Sequence, residues 1–334
     1  PMLFDAFLAP ASLADYPALA RAAEGAGLDA VWTYETQHNP FLPFPLIAEH
    51  APCLHFGTAI AIAFARSPTT LAHIAWDLAA VSGGRMILGL GTQVKPHIER
   101  RFGMEWPESP VGKLRETILA IRALWQCWQT GEKLNFRGEY HKITLMSPFF
   151  NPGPIAHPHI PIFIAGVNTG LARLAGSLCE GYHVHPYHSP AYVRERVLPA
   201  IEAGAQAAGR SRADLQLATS AFVFVDKKEA EAVRQQISFY ASTPTYKAVM
   251  DFHGWGETAE RLQGLAARGA WGEMPGLISD EMLETFALRA TPADLGLRLR
   301  ERYAGLLDRV ALYRSFDGSD VAAWQTLAEQ VRHG

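Results

Sequence analysis

The sequence contains eight apolar, strand-like runs, and segments with helical spacing separate them. The runs are Leu3–Leu8, Ala30–Tyr34, Leu54–Ile62, Arg85–Gly91, Pro161–Ala165, Gly181–His185, Leu215–Val225 and Asp308–Tyr313. Segments between them, such as Leu13–Ala26 and Leu71–Val81, repeat apolar residues every three or four positions and are followed by or end near glycines, as helices commonly do. Strands that alternate with helices pair in parallel through right-handed crossovers, and eight such units favour closure over an open sheet. The sequence therefore predicts an α/β fold, a (β/α)8 TIM barrel.

Two connections are too long to be simple crossovers, and they are predicted to be insertions after strands 4 and 7. The first runs from Thr92 to about His159 and contains a helical pattern over Val111–Trp128, followed by the hairpin-like stretch EKLNFRGEYHKI. The second runs from Ser242 to Leu307. In the second, the spacing of three residues predicts a capped helix start: Thr291, Pro292 and Asp294. A chain of 334 residues with 49% hydrophobic content is expected to form one domain over residues 1–334, embellished by these insertions.

Charge and cysteine content exclude several classes of protein. The chain carries 30 Lys and Arg against 33 Asp and Glu, without a block of like charges, so neither nucleic acid nor an anionic membrane is an expected partner. Cys53, Cys127 and Cys179 are far apart and lack CxxC spacing, which argues against a disulfide framework or a zinc finger. No secretory signal or membrane span is predicted. A cytoplasmic location is the expectation.

In a TIM barrel, functional residues lie just beyond the carboxyl ends of the strands. Here those positions carry many hydrogen-bonding groups and few acids. They include Glu35, Gln37 and His38 after the second strand, Phe64 and Arg66 after the third, the stretch GTQVKPHIERRFG after the fourth, and AGVNTG and HVHPYH after the fifth and sixth. The sequence has no GxSxG elbow, Walker loop, HExxH motif or GxGxxG fingerprint. These absences disfavour, in that order, an α/β-hydrolase, a P-loop nucleotide-binding protein, a zinc metalloprotease and a Rossmann fold.

Two of these stretches point to ligands, and each also has a plainer interpretation. The turn Gly166–Gly170 leads from a strand into a helix, so free amide groups are expected to face the barrel mouth and bind an anion; a tight βα turn without a ligand explains the glycines equally well. His183, His185 and His188 have spacing that a metal site could use. Because no carboxylate accompanies them, hydrogen-bonding or structural roles are favoured. A metal-dependent hydrolase is the last-ranked alternative, and no metal is assigned.

Several quoted stretches, taken in order, resemble one known superfamily. They are GLDAVWTYETQHNP, LHFGTAIAIAFARSP, VSGGRMILGLGTQ, RRFGMEWPES, FRGEYHKI and PIFIAGVNTGLARLAG. Their order is similar to that of the bacterial luciferase-like oxidoreductases, which include flavin-dependent monooxygenases and enzymes that use the deazaflavin coenzyme F420. The resemblance implies an oxidoreductase that uses coenzyme F420 or FMN, acts on a small organic substrate by hydride transfer or monooxygenation, and forms a homodimer.

The resemblance also assigns roles to individual residues. It implies a cis peptide bond between Ala59 and Ile60, which supports the central ring of the cofactor. It places an acidic residue at Glu35 and a catalytic histidine directly after it. This sequence has Thr36 at that position and His38 two residues later. We therefore expect Glu35 and His38 to be catalytic residues.

The remaining implied contacts concern the two ends of the cofactor. Deazaflavin-dependent sugar-phosphate dehydrogenases of this superfamily carry a glutamate after the fourth strand, where this sequence has Thr92 and Gln93. That reaction is therefore not expected. Gln93 is expected to hydrogen-bond to the polar edge of the ring, both as a catalytic and as a cofactor-binding residue, with Thr92 beside it. Gly166, Val167 and Asn168 match the phosphate site of the family.

The first insertion is expected to cover the site. Its basic residues are candidate contacts for an anionic substrate or cofactor tail, although solvated surface is the usual place for such a run: Lys95, His97, Arg100 and Arg101. Its aromatic residues are candidate lid residues, with core packing as the alternative: Phe102, Trp106, Phe136 and Tyr140. Because the usual acid is missing and the histidine is displaced, a non-catalytic flavin-binding carrier or sensor remains the alternative function.

Overall fold

The computed structural model describes residues 2–333, in which eight parallel strands close into a barrel. The strands of the chain are β1 (Leu3–Phe7), β2 (Ala30–Thr33), β3 (His55–Thr58), β4 (Ala61–Ile62), β5 (Met86–Gly91), β6 (Phe136–Arg137), β7 (Lys142–Ile143), β8 (Ile162–Gly166), β9 (Gly181–Val184), β10 (Gln216–Phe224), β11 (Ala287–Arg289) and β12 (Arg309–Leu312). Around the barrel the order is β1, β2, β3, β5, β8, β9, β10 and β12, which pairs again with β1. The predicted TIM barrel is confirmed, and all eight predicted runs form its strands.

Helices surround the barrel. They are α1 (Tyr16–Gly25), α2 (Phe44–His50), α3 (Pro68–Ser82), α4 (Lys95–Arg100), α5 (Pro110–Thr130), α6 (Thr169–Leu178), α7 (Pro190–Tyr192), α8 (Leu198–Ala207), α9 (Lys227–Ala241), α10 (Lys247–Phe252), α11 (Gly256–Ala267), α12 (Asp280–Phe286), α13 (Leu295–Tyr303) and α14 (Val321–His333). The sequence sets their ends. In α3, for example, the Ser67 hydroxyl accepts a hydrogen bond from the amide of Thr70, and Gly83 ends the helix at φ 64°, a left-handed conformation that glycine adopts without a steric cost.

The interior of the barrel is filled by side chains that alternate along the strands. Trp32, Ile87 and Phe163 pack there as a small apolar cluster, separate from the larger core between strands and helices. Below them, the buried carboxylate of Asp5 accepts hydrogen bonds from Arg309 at 2.8 Å and from the Trp32 indole at 2.9 Å. Both charges are therefore paired, and the filled interior confines any ligand to the mouth of the barrel.

The two predicted insertions lie where the sequence places them, after β5 and after β10. In the first, the buried carboxylate of Glu116 on α5 accepts hydrogen bonds from the backbone amides of Glu139, Tyr140 and His141. Since these amides belong to the turn of the β6–β7 hairpin, one carboxylate fixes the hairpin on the helix. The predicted hairpin and the helix over Val111–Trp128 are both present.

In the second insertion, the expected helix start at Thr291 is wrong. The Asp294 carboxylate accepts hydrogen bonds from both the amide and the hydroxyl of Thr291. The hydroxyl is therefore used as a donor to this carboxylate and does not cap a helix. The four residues form a turn, and α13 begins only at Leu295. Within residues 2–333, no helix combines the length and the apolar composition that crossing a membrane requires.

Candidate functional site

Two neighbouring cavities open at the carboxyl ends of the barrel strands. The central cavity, of about 530 Å³, lies over the barrel interior, and the outer cavity, of about 610 Å³, lies between the ends of β5 and β8. Ile60, Ala165 and His185 line both. The hydroxyl-bearing residues of the central cavity are Tyr34, Thr36, Thr219, Ser220, Tyr240, Tyr313 and Ser315. Because three residues line both, the two cavities are neighbours with a shared wall, and together they form the depression at the barrel mouth.

The wall between the cavities is the backbone between β3 and β4. The peptide bond between Ala59 and Ile60 is cis, as the resemblance implies. Gly91 at the end of β5 provides the space for the Ile60 side chain, because a Cβ atom on Gly91 would lie 2.5 Å from Cδ1 of Ile60. Ala59 faces the central cavity and Ile60 faces both.

Glu35 supports this wall. Its carboxylate makes two hydrogen bonds of 2.7 Å with the Arg66 guanidinium and accepts a third, of 2.8 Å, from the amide of Ile62. The side chain of Glu35 is 6% exposed and that of Arg66 is 13% exposed. Both oxygens are thus engaged in a bidentate ion pair, and neither cavity is lined by Glu35.

His38 lines neither of the two cavities. It is exposed and lines a small pocket of about 30 Å³, which borders the central cavity because Tyr34 and Thr36 line both. The residue that reaches the central cavity from this loop is Thr36, at the position where the family has its histidine. The structure therefore does not bring His38 together with Gln93.

Thr92 and Gln93 line the outer cavity directly after β5. Gln93 has φ 60°, an uncommon conformation for a residue other than glycine. Its Oε1 accepts a hydrogen bond from the amide of Val94, while the Thr92 hydroxyl donates to the Gln93 carbonyl. These bonds leave the side-chain nitrogen Nε2 of Gln93 as a donor for a ligand.

The opposite side of the outer cavity is the start of α6. Gly166, Val167 and Asn168 line it, together with Gly170. Asn168 is the N-cap residue, yet its side chain makes no capping hydrogen bond. Free amides and the helix dipole therefore face the cavity, which is the geometry that binds phosphate or carboxylate groups. Lys95 also lines this cavity, and its Nζ lies 3.7 Å from the Glu99 carboxylate.

The three histidines of HVHPYH have different surroundings. His183 is buried against Trp32, with ring centroids 4.7 Å apart, and its Nε2 has no hydrogen-bond partner within residues 2–333. His188 bonds through its ring to the His185 carbonyl and the Tyr303 hydroxyl. Burial lowers the pKa of His183 and His185 to about 3 and that of His188 to about 4. In the described part of the chain, no group of three or more His, Cys, Asp or Glu has metal-binding geometry.

Three tyrosines that the sequence analysis did not name as site residues complete the two cavities: Tyr240 in α9, Tyr246 in the second insertion and Tyr313 after β12. Tyr240 and Tyr313 line the central cavity, with their hydroxyl oxygens 2.7 Å apart. Tyr246, in the turn before α10, lines the outer cavity and lies beside His185 with ring centroids 4.7 Å apart. Tyr313 directly follows β12, so a rule based on strand ends could have found it. Tyr240 and Tyr246 follow no strand directly, so the same rule could not find them.

The predicted basic and aromatic contacts are only partly at the site. Of the basic run, Lys95 lines the outer cavity, whereas Arg101 stacks on Phe102 and donates a hydrogen bond to the Thr36 carbonyl. Of the aromatic residues, Trp106 lines the outer cavity. Phe136 lies in the hairpin and the Tyr140 hydroxyl accepts from the Ser109 amide, so these two serve the packing of the insertion.

A closed parallel barrel with a concave, hydrogen-bonding mouth at the carboxyl ends of its strands defines a TIM-barrel protein with a small-molecule site. The chain belongs to the luciferase-like monooxygenase family, whose model matches residues 4–309. Members of the family that resemble this chain use coenzyme F420 or FMN, which agrees with the two cofactors that the sequence predicts.

Three known proteins illustrate this relationship. An uncharacterized protein of Mycobacterium tuberculosis is 42% identical over 304 residues, which cover 87% of this chain and 89% of the relative. An F420-dependent glucose-6-phosphate dehydrogenase of Nakamurella multipartita is 29% identical over 306 residues, 86% of this chain and 85% of the relative. The solved structure of the coenzyme F420 dependent tetrahydromethanopterin reductase from Methanopyrus kandleri superposes with a TM-score of 0.79 at 21% identity, covering 98% of each chain.

The donor set of the cavities fits such a cofactor. A planar ring needs a supporting wall and edge donors, and the cavities offer the Ala59–Ile60 segment as a wall and the side-chain amide of Gln93 as a donor. A phosphate-bearing tail needs amide donors, which the uncapped start of α6 offers. Gly166 leaves room beside that start, because a Cβ atom there would lie 2.8 Å from Cδ1 of Leu171.

Proposed function

We propose that this protein is an F420-dependent oxidoreductase that transfers hydride to or from a small organic substrate. The observation that carries the proposal is the pair of neighbouring cavities, which are lined by Ala59 and Ile60 at their shared wall and by the start of α6, where amides are free. The F420-dependent name of the Nakamurella multipartita relative supports F420 over FMN.

In this proposal each part of the depression has one task. The backbone of Ala59 and Ile60 supports the ring, and Thr92 and Gln93 meet its polar edge. Gly166, Val167 and Asn168 hold the phosphate of the tail, with Lys95 beside them. When bound, the deazaflavin supplies or accepts two electrons as a hydride. The chain contributes orientation of the ring and the exclusion of water.

Two of the expected catalytic residues receive other roles. Glu35 is proposed as a positioning residue, because its carboxylate holds Arg66 and the Ile62 amide next to the ring wall. His38 receives no catalytic role, since it lines neither cavity. A substrate carbonyl that accepts a hydride at carbon also needs a proton at oxygen. Among residues 2–333, no carboxylate lines the two cavities, so we propose that this proton comes from water or through a hydroxyl.

The test is a spectroscopic titration of the purified protein with F420 and with FMN. We expect micromolar binding of F420, which corresponds to about −8 kcal/mol, and weaker binding of FMN. Folded protein that binds neither would refute the proposal. The phosphate site is tested by Asn168→Asp, which places a negative charge against the tail while keeping a good N-cap residue. We expect at least tenfold weaker F420 binding. Asn168→Ser is the uncharged control and should bind normally.

A non-catalytic carrier or sensor is the second candidate function. It is supported by the lining of the cavities, which within residues 2–333 contains no carboxylate that could act as a proton donor. Stopped-flow mixing of the protein and reduced F420 with candidate carbonyl acceptors separates the two. An oxidoreductase accelerates reoxidation of the cofactor with at least one acceptor, whereas a carrier leaves the rate as it is in free solution. Preferred binding of FMN, with oxygen consumption, would instead favour a monooxygenase.

A further inference from the structure

The central cavity differs from the outer cavity in carrying no formal charge. Its polar lining, taken over residues 2–333, consists of hydroxyl groups and of the imidazoles of His183 and His185. The charged residue Lys95 lines the outer cavity and not the central one. A carboxylate or phosphate that entered the central cavity would lose its hydration without gaining a cation, which costs several kcal/mol.

Burial keeps four titratable groups of this cavity neutral at physiological pH. It lowers the pKa of His183 and His185 to about 3 and raises the pKa of Tyr240 and Tyr313. The buried cation Arg309 is paired with Asp5 beneath the cavity. The neutrality of the cavity therefore follows both from which residues line it and from their protonation states.

His185 is the polar side chain that faces both cavities, and its orientation is fixed. The amide of Tyr187 donates a hydrogen bond of 3.1 Å to its Nδ1, so in the neutral ring the proton is assigned to Nε2. The rings of Tyr240 and Tyr246 pack against it, with centroids 4.8 and 4.7 Å away. Within the described chain, Nε2 makes no hydrogen bond to protein, which leaves it as a donor for a ligand at the junction of the cavities.

We propose that the central cavity binds an uncharged organic substrate that carries a carbonyl or hydroxyl oxygen, an inference that rests on the proposed function. The Nε2–H group of His185 donates a hydrogen bond to this oxygen and holds it beside the cofactor ring. His185 is thus a specificity-determining residue. The proposal excludes sugar phosphates and carboxylic acids as preferred substrates.

The first experiment compares matched pairs of ligands on the cofactor-loaded protein. Cyclohexanone is paired with 4-oxocyclohexanecarboxylate, and acetophenone with 4-acetylbenzoate. Binding is followed by ligand-observed NMR, and turnover by oxidation of reduced F420. We expect the uncharged member of each pair to bind at least tenfold more tightly. Equal or tighter binding of the carboxylates overturns the proposal, and so does failure of both uncharged ketones to bind at millimolar concentration.

The second experiment separates the donor role of His185 from its packing. His185→Asn keeps an acceptor near the Nδ1 position for the Tyr187 amide and removes the Nε2 donor. His185→Gln places an amide donor near the Nε2 position. With the cofactor at saturating concentration for each variant, we expect His185→Asn to lose at least tenfold in ketone affinity and His185→Gln to recover most of the loss. Unchanged ketone binding in His185→Asn overturns the assignment, as does equal loss in both variants.

These outcomes are distinct from failure of the proposed function. If the protein binds neither F420 nor FMN, the proposed function is refuted. The same ligand pairs are then measured on the protein alone, since the cavity and His185 belong to the chain. Preference for the uncharged ketones that depends on His185 still supports the recognition inference, and its absence overturns it.

Discussion

Replacement of Glu35 distinguishes a positioning role from a catalytic one. The carboxylate is 6% exposed, makes a bidentate pair with Arg66 and accepts the Ile62 amide. Removing one partner of a buried pair costs about 3–5 kcal/mol, and an unsatisfied amide adds about 1–3 kcal/mol. Because Arg66 is 13% exposed and also bonds to the Ile62 carbonyl at 3.2 Å, the lower ends apply. We expect Glu35→Ala to lose about 4 kcal/mol and Glu35→Gln about 2 kcal/mol of unfolding free energy.

The assay is urea denaturation followed by fluorescence, combined with F420 titration of each variant under folding conditions. The double variant Glu35→Leu/Arg66→Met removes both charges, and it should recover much of the stability that Glu35→Ala loses. Cofactor affinity should fall together with stability, because Ile62 directly follows the wall that supports the ring. The reasoning is refuted if Glu35→Gln is as stable as the parent and binds F420 normally but has lost turnover, since that pattern marks a catalytic carboxylate.

Three further predictions concern stability. Gly89→Ala places a Cβ atom 1.6 Å from the Thr58 carbonyl oxygen, so we expect a loss of at least about 4 kcal/mol of unfolding free energy or no soluble protein. The control Gly272→Ala, with open space around it, should express normally. Equal expression of the two variants would contradict the close approach of β3 and β5. Folded-state pKa values of about 3 for His183 and about 4 for His188, against 6.5 in the unfolded chain, mean that only the unfolded state takes up these protons below about pH 6.5. Stability should therefore fall as pH drops from about 6.5 to 4, by about 2 kcal/mol per histidine at pH 5. Replacement of both by Gln should reduce this dependence by about 4 kcal/mol at pH 5 in pH-resolved denaturation curves, and the part due to His185, whose pKa is also about 3, should remain. Glu116→Ala frees three hairpin amides and should raise hydrogen exchange in residues 136–143 at least tenfold; unchanged protection there would show that other contacts hold the hairpin.

The fold was predictable because every barrel strand carries its own signal. A parallel strand is buried on both faces, so its sequence is a continuous run of apolar residues. Glycines mark the ends of the helices between these runs. The start of α13 was not predictable in the same way. Thr291 and Asp294 satisfy a sequence motif for a cap, but the same two side chains can bond to each other in a turn, and the choice depends on the geometry of neighbouring elements.

The candidate site was predictable only where it follows a strand directly. Gln93, Ile60 and Asn168 lie at strand ends, and all three line the depression. Tyr240 lies at the end of α9 and Tyr246 in the second insertion, and which residues of these segments reach the barrel mouth depends on long-range packing rather than on local spacing. For His38 the sequence does not determine where the loop side chain points: two residues beyond Thr36, it lines the small pocket beside the central cavity and not the central cavity itself.

The contrast in charge between the two cavities also determines how a phosphate-bearing cofactor would be oriented. The outer cavity offers free helix amides and Lys95, whereas the lining of the central cavity within residues 2–333 is neutral. A cofactor bound in the reverse direction would bury its phosphate among hydroxyl groups and neutral imidazoles, at a cost of several kcal/mol. Every 1.4 kcal/mol corresponds to a tenfold preference, so a difference of several kcal/mol would favour one orientation by at least a hundredfold. In that orientation the ring would lie toward the junction at Ile60 and His185, where the proposed uncharged substrate would approach it from the central cavity.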